Sequence, residues 1–184
     1  NPPGAGWPGF PSGTPTTITA LEGLSSIPQF KISPDEGSVT LDINTIIGGS
    51  SNSYELVVSN PENLIALQLE DLVFNPNSTN NLNLNFAKTL QQLIITNSQL
   101  SSVQLSDSKS SLYSLSLSHN NLTNIDITNC DSLVALSMDF NKLASLDLTG
   151  CTKLNQLECS HNLLTEFNIA NYSHLSTINV SHNK

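Results

Sequence analysis

Arginine is absent from this chain and lysine is scarce, so that 6 basic residues face 15 acidic ones and the formal net charge is -9. A polyanion of this kind is repelled by phosphate backbones and by anionic lipid, which excludes nucleic acid and charged membrane surfaces as partners. Missing too is any uninterrupted apolar run of about 18 residues, the least that spans a bilayer as a helix, so no membrane insertion is expected. Cysteines number only three, with no Cys-x-x-Cys pair, and an odd count of this kind does not build a small-protein disulfide framework. The chain lacks a Gly-x-Ser-x-Gly elbow and a phosphate-binding loop, and neither an enzyme nor a cofactor is expected. No secretory signal is visible, and the chain begins at Asn1 rather than Met. What fills the space is Asn, Ser and Thr, a composition expected of a secreted or surface-exposed protein.

The dominant pattern is a repeat. Leu112, Leu133, Leu154 and Leu175 open successive copies of Leu-x-x-(Leu/Ile)-x-(Leu/Met/Cys/Val)-x-x-Asn, with a period of 21 residues and asparagines at Asn120, Asn141, Asn162 and Asn183. This is the leucine-rich-repeat phrase Leu-x-x-Leu-x-Leu-x-x-Asn-x-Leu. Each copy carries a second, alternating phrase: Ile125-Asp126-Ile127, Leu146-Asp147-Leu148 and Phe167-Asn168-Ile169. So short a period leaves no room for a helix beside two extended segments. The fold expected is a repeat solenoid, mostly β, with a parallel sheet on its concave face, short strands or irregular coil on its convex face, and an N-terminal β cap.

Three segments follow. Residues 1–15, NPPGAGWPGFPSGTP, form neither helix nor ladder because proline removes donors. The plain reading is a tether; the sharper one is an arm whose Trp7 and Phe10 dock on a partner. Residues 16–63 hold β-like runs at 29–32, 39–43 and 54–58 and read as a cap or a degenerate first repeat. Residues 64–184 hold the repeats, starting near Leu64, Leu90, Leu112, Leu133, Leu154 and Leu175, with a turn-rich insertion, expected to bulge as a loop, around Asn75 to Asn81. The final copy stops at Ser181-His182-Asn183-Lys184 without a second phrase, so either a longer chain or a covering neighbour is expected.

Position within the repeat separates scaffold from surface. The asparagine amides are expected to bond backbone groups of neighbouring coils, making Asn120, Asn141, Asn162 and Asn183 structural. Leu69, Ile95, Leu117, Met138, Cys159 and Val180 form one core column, which reads Cys159 as a small buried hydrophobe. Cys130 and Cys151 share a repeat position on adjacent coils, at a separation compatible with a disulfide, yet inward parallel neighbours seldom bridge and free thiols are expected. Outward positions carry small polar residues, including Ser116, Ser118, Ser137 and Ser160. Against them stand Tyr113, His119, Asp139, Phe140, Glu158, His161, Asn179 and His182, the candidate ligand-binding residues of the concave face.

Other chemistry on this face is weaker. His161 and His182 lie on adjacent coils near Glu158 and can be drawn around a Zn²⁺, but Ser-His-Asn recurs at 118–120, 160–162 and 181–183, which duplication explains, so no metal is expected. A Ser137/His161/Asp139 triad can be drawn in any serine-rich chain. Glycosylation sequons at Asn77, Asn121, Asn171 and Asn179 are no more than the composition produces.

From Leu90 to Lys184 the chain resembles the 21-residue leucine-rich repeats of bacterial cell-surface proteins, particularly those of Bacteroidetes, and more distantly the internalin-like adhesins. The phrases LYSLSLSHNNLTNIDITNCDS, LVALSMDFNKLASLDLTGCTK and LNQLECSHNLLTEFNIANYSH carry that resemblance. It implies an extracellular, non-enzymatic, adhesin-like module at the cell surface that recognises a protein or glycan. The alternative is a structural or accessory subunit of a surface assembly or virion, held to neighbouring subunits by the N-terminal arm.

Overall fold

The computed structural model describes residues 16–18, 29–32, 38–42, 55–58, 66–70, 81–84, 87–106, 108–169 and 171–184. Strands β1 (Thr16–Ile18), β3 (Ser38–Asp42), β5 (Ala66–Glu70), β7 (Gln92–Thr96), β9 (Ser114–Ser116), β10 (Ala135–Ser137), β11 (Gln156–Glu158) and β12 (Thr177–Asn179) lie in that order in one sheet, every pair parallel. Parallel neighbours in sequence order, with the chain returning between each pair, define a β-solenoid. The described residues contain no helix. Accordingly none is long and apolar enough to cross a membrane.

The last four coils keep strict register: Ala135 pairs with Ser114, Gln156 with Ala135 and Thr177 with Gln156, each 21 residues apart. Earlier coils are longer, since Ala66 pairs with Gln92 and Ser38 with Ala66. The turn-rich insertion up to residue 80 and Leu64 itself lie outside the described residues, as do Trp7, Phe10 and the rest of the arm, while Asn81 opens a short strand. Within the N-terminal segment, β1 and β3 extend the same sheet, while β2 (Gln29–Ile32) pairs in parallel with β4 (Glu55–Val58) in a second one. On the return side β6 (Asn81–Asn83) pairs with β8 (Ser102–Gln104), and the later phrases 125–127, 146–148 and 167–169 are irregular.

Stacked columns of apolar side chains make the core. Leu93, Leu115, Leu136 and Leu157 are all fully buried, as are Ile95, Leu117, Met138 and Cys159 in the next column. Each is covered by its equivalent one coil away, about 4.8 Å along the axis. The rule shows in its exception: on the final coil Ile178 and Ile169 are 42% and 41% exposed, although their counterparts Leu157 and Leu148 are buried.

Short strands demand another source of coil-to-coil cohesion, and the asparagines supply it. Asn141 Oδ1 accepts the Leu122 N–H at 3.0 Å, while its Nδ2 donates to Leu117 O at 2.8 Å and Met138 O at 3.1 Å. Asn120, Asn162 and Asn183 repeat the arrangement, accepting from Leu100, Leu143 and Leu164. These amides tie each coil to its predecessor where the chain turns and the ladder alone leaves backbone groups unpaired.

Candidate functional site

Just past β7 and three residues past the ends of β9, β10, β11 and β12, one residue adopts a left-handed backbone: Asn97 (φ 51), His119 (φ 58), Phe140 (φ 54), His161 (φ 54) and His182 (φ 55). Asparagine and histidine tolerate this region, whereas a bulky phenylalanine there is strained. Inter-coil bonding continues through the bend, with His119 N donating to Asp139 O at 2.8 Å and Phe140 N to Ser160 O at 3.0 Å. The bend swings each ring out of the pleat and lays it on its neighbour. Centroids are 4.3 Å apart for His119 and Phe140, 4.1 Å for Phe140 and His161, and 4.2 Å for His161 and His182, with planes within 12° of parallel. Such contacts contribute about 0.5–1.5 kcal/mol each beyond the area they bury, which offsets the strain at Phe140.

Stacking settles what this column can do. Both faces of Phe140 and His161 and the inner faces of His119 and His182 are covered by neighbouring rings, so the ladder offers mainly its edges: imidazole nitrogens interrupted by the phenyl edge of Phe140. A metal must lie in the plane of each imidazole that binds it, and two parallel planes 4.2 Å apart share no such point. Among the described residues no group of three His, Cys, Asp or Glu side chains can hold a metal ion.

Beside the ladder lies a floor of small side chains that is less available than the sequence suggests. Ser114, Ser116, Ala135 and Ser137 are buried between flanking strands, and the Ser118 and Ser137 hydroxyls hydrogen-bond each other at 2.7 Å. Asp139 Oδ1 accepts from Ser160 N at 2.6 Å and Ser160 Oγ at 2.8 Å, so Asp139 bonds Ser160, and Ser137 bonds Ser118 and Glu158, rather than His161. Glu158 is half-buried; burial, then the Asp139 charge, pushes its carboxyl above the usual range, while the Ser137 hydroxyl pulls the other way. Asn179 is exposed, its Oδ1 accepting from Ser181 N and Oγ.

The structure therefore gathers His119, Phe140, His161 and His182 into one contiguous column, with Asp139 just past the end of β10 and Glu158 at the end of β11. Tyr113 stands apart. It precedes β9, six residues before His119, and is 41% exposed at the opposite margin of the sheet, while Phe140 is 44% exposed at the ladder margin. The left-handed bend is the feature that sequence reasoning missed; its signal is the residue just before each ladder asparagine, where His, Phe, His and His recur at the 21-residue period. Also missed was the return side, where Lys109 Nζ pairs with Asp126 Oδ1 at 2.6 Å beside a cavity of about 320 Å³ lined in part by Gln104, Leu105 and Asn124.

Repetition in the sheet, an ordered ladder of rings along one margin and an exposed tyrosine along the other define the class: a β-solenoid with one decorated face. No protein-family model matches the chain, and neither a curated protein nor a solved structure does.

Proposed function

We propose that this chain is an extracellular leucine-rich-repeat module, adhesin-like and bacterial in type, that recognises a protein or glycan through the decorated face of its main sheet without catalysing a reaction. The observation that carries this reading is the pairing of exposed aromatic margins, Tyr113 and Phe140, with a floor of small, internally satisfied side chains on a rigid parallel sheet. A partner that spans the floor gains contact area at both margins and orders little of the protein on binding. Ring edges at about 4.2 Å intervals offer imidazole hydrogen-bonding groups along one margin, and Asp139 with Glu158 makes the surface acidic.

The test is a binding survey of the full chain on a glycan array and a panel of surface-protein ectodomains, repeated with Tyr113→Ala and Phe140→Asn. Asparagine is chosen because it occupies the equivalent left-handed position at Asn97. Binding that both substitutions weaken at least tenfold, with unchanged circular dichroism, supports the reading. Binding indifferent to both, or turnover of a bound glycan or peptide, overturns it.

A further inference from the structure

Cys130 and Cys151 occupy equivalent positions on successive coils, both fully buried, both free thiols. The two coils are pinched together one residue earlier: Gly150 adopts φ +86, and a Cβ placed on it would lie 2.6 Å from the Asn129 Cα. The Asn129 N–H also donates to Thr149 O at 2.7 Å. Backbones held this close bring the following residues, and with them the two buried thiols, within the span a disulfide bridges. Cys151 Sγ donates to Ile127 O at 3.3 Å, a carbonyl of the Cys130 coil.

We propose that Cys130 and Cys151 form a disulfide site, a dithiol that a small-molecule disulfide converts to a covalent staple between successive coils. The inference does not depend on the recognition reading. In the first step the Cys151 thiolate attacks one sulfur of the small disulfide, forming a mixed disulfide and expelling one small thiolate. In the second the Cys130 thiolate attacks the Cys151 sulfur, closing the protein disulfide and expelling the other. Two electrons pass from the protein sulfurs to the small disulfide, and the two protons released appear on two small thiols.

Cys151 attacks first for two reasons. The neighbouring Cys130 side chain lowers the Cys151 thiol, whereas the Cys151 side chain and then burial raise that of Cys130, which favours Cys151 as the sulfur that ionises first. Access also favours it, because the next residue in the same column is the half-buried Tyr172, on the coil whose Ile169 and Ile178 are exposed. Loosening that one coil uncovers Cys151 before Cys130. Cys159 serves as the internal control: it lies in a different column, and burial, then the Asp139 and Glu158 charges, pushes its thiol up to about 12.

The experiment incubates the folded full chain with oxidised glutathione, then denatures it, alkylates remaining thiols and maps the peptides. The expected product carries one alkylated cysteine, Cys159, with Cys130 joined to Cys151, and melts at a higher temperature than the reduced chain. Cys130→Ser, which cannot close the ring, accumulates glutathione on Cys151, and Tyr172→Leu speeds oxidation severalfold. Three alkylated cysteines, a bridge that includes Cys159, or glutathione retained on Cys151 in the unsubstituted chain overturns the assignment. An oxidation rate unchanged by Tyr172→Leu overturns the order of attack.

Discussion

Asn141 shows how much of this solenoid rests on single side chains. Its amide satisfies the Leu122 N–H on the preceding coil and the Leu117 and Met138 carbonyls on two coils, all out of contact with water. Asn141→Ala orphans the Leu122 N–H, whereas the Leu117 and Met138 carbonyls keep the Asn120 and Asn162 amides as donors. The loss should be about 1–3 kcal/mol, read as a lowered midpoint in urea, because an unpartnered buried polar group bears its full desolvation penalty. Asn183, half-exposed on the last coil, should lose less on the same substitution. Gly150 poses the opposite problem. Gly150→Ala would place a methyl against the Asn129 backbone at a φ that L residues avoid, and a loss of more than about 2 kcal/mol is expected by the same measurement.

At the scale of an element, the strand, its bend and the ring that follows act together. Phe140→Asn relieves the left-handed strain while removing two stacking contacts, so stability should shift by less than about 1 kcal/mol as the two effects oppose each other. Phe140→Ala removes the contacts without a residue suited to the bend and should be the more destabilising in urea. Glu158 adds a pH term. Its folded pKa lies above the unfolded value, so protonated Glu158 favours the fold; that contribution is complete below the unfolded carboxylate range and lost as pH rises through the folded value. Glu158→Gln should therefore stabilise the chain at neutral pH and stop doing so in acid. Asp126 runs the other way: the Lys109 ammonium and the Thr128 hydroxyl hold it down at about 2, so its small, solvent-screened contribution is present above the unfolded range near about pH 4 and fades towards pH 2.

These elements also show where sequence reading stops. The 21-residue period and the core columns are plain because burial selects leucine repeatedly at fixed spacing, and register follows from them. The left-handed bend was not legible, because backbone sign is advertised by glycine and here it is carried by histidine and phenylalanine, held by stacking that exists only once the coils are assembled. The alternating phrase Ile125-Asp126-Ile127 suggests an extended segment like β6 and β8, yet Asp126 Oδ1 takes the Thr128 N–H at 3.1 Å and its hydroxyl at 2.7 Å, and that local turn displaces a ladder. Nor does the serine floor announce its burial, since serine is as common outside as in; only the flanking strands decide it. The strands at 16–18 and 38–42 escaped the repeat because their offsets in the sheet differ from the downstream period.

For the whole molecule, a solenoid has no single centre. Each coil touches only its neighbours, so protection should be graded along the axis. Amide hydrogen exchange is expected to be slowest in β9 and β10, covered on both sides, and fastest in β12, where Ile178 is exposed. Equal protection across β9 to β12 would mean that the coils open as one unit. The asparagine amides, however, make those neighbours unequal partners, because each bonds backwards to the coil before it. Under mechanical load applied between the ends of the sheet, that directionality becomes a loading order. The terminal coil gives way first, releasing 21 residues, or about 70 Å of contour, before the next amide bears the tension. A force trace should climb and drop in even steps of that length while β12, β11 and β10 peel away, and in longer ones once the earlier coils are reached, a molecular ratchet strap that yields one notch at a time.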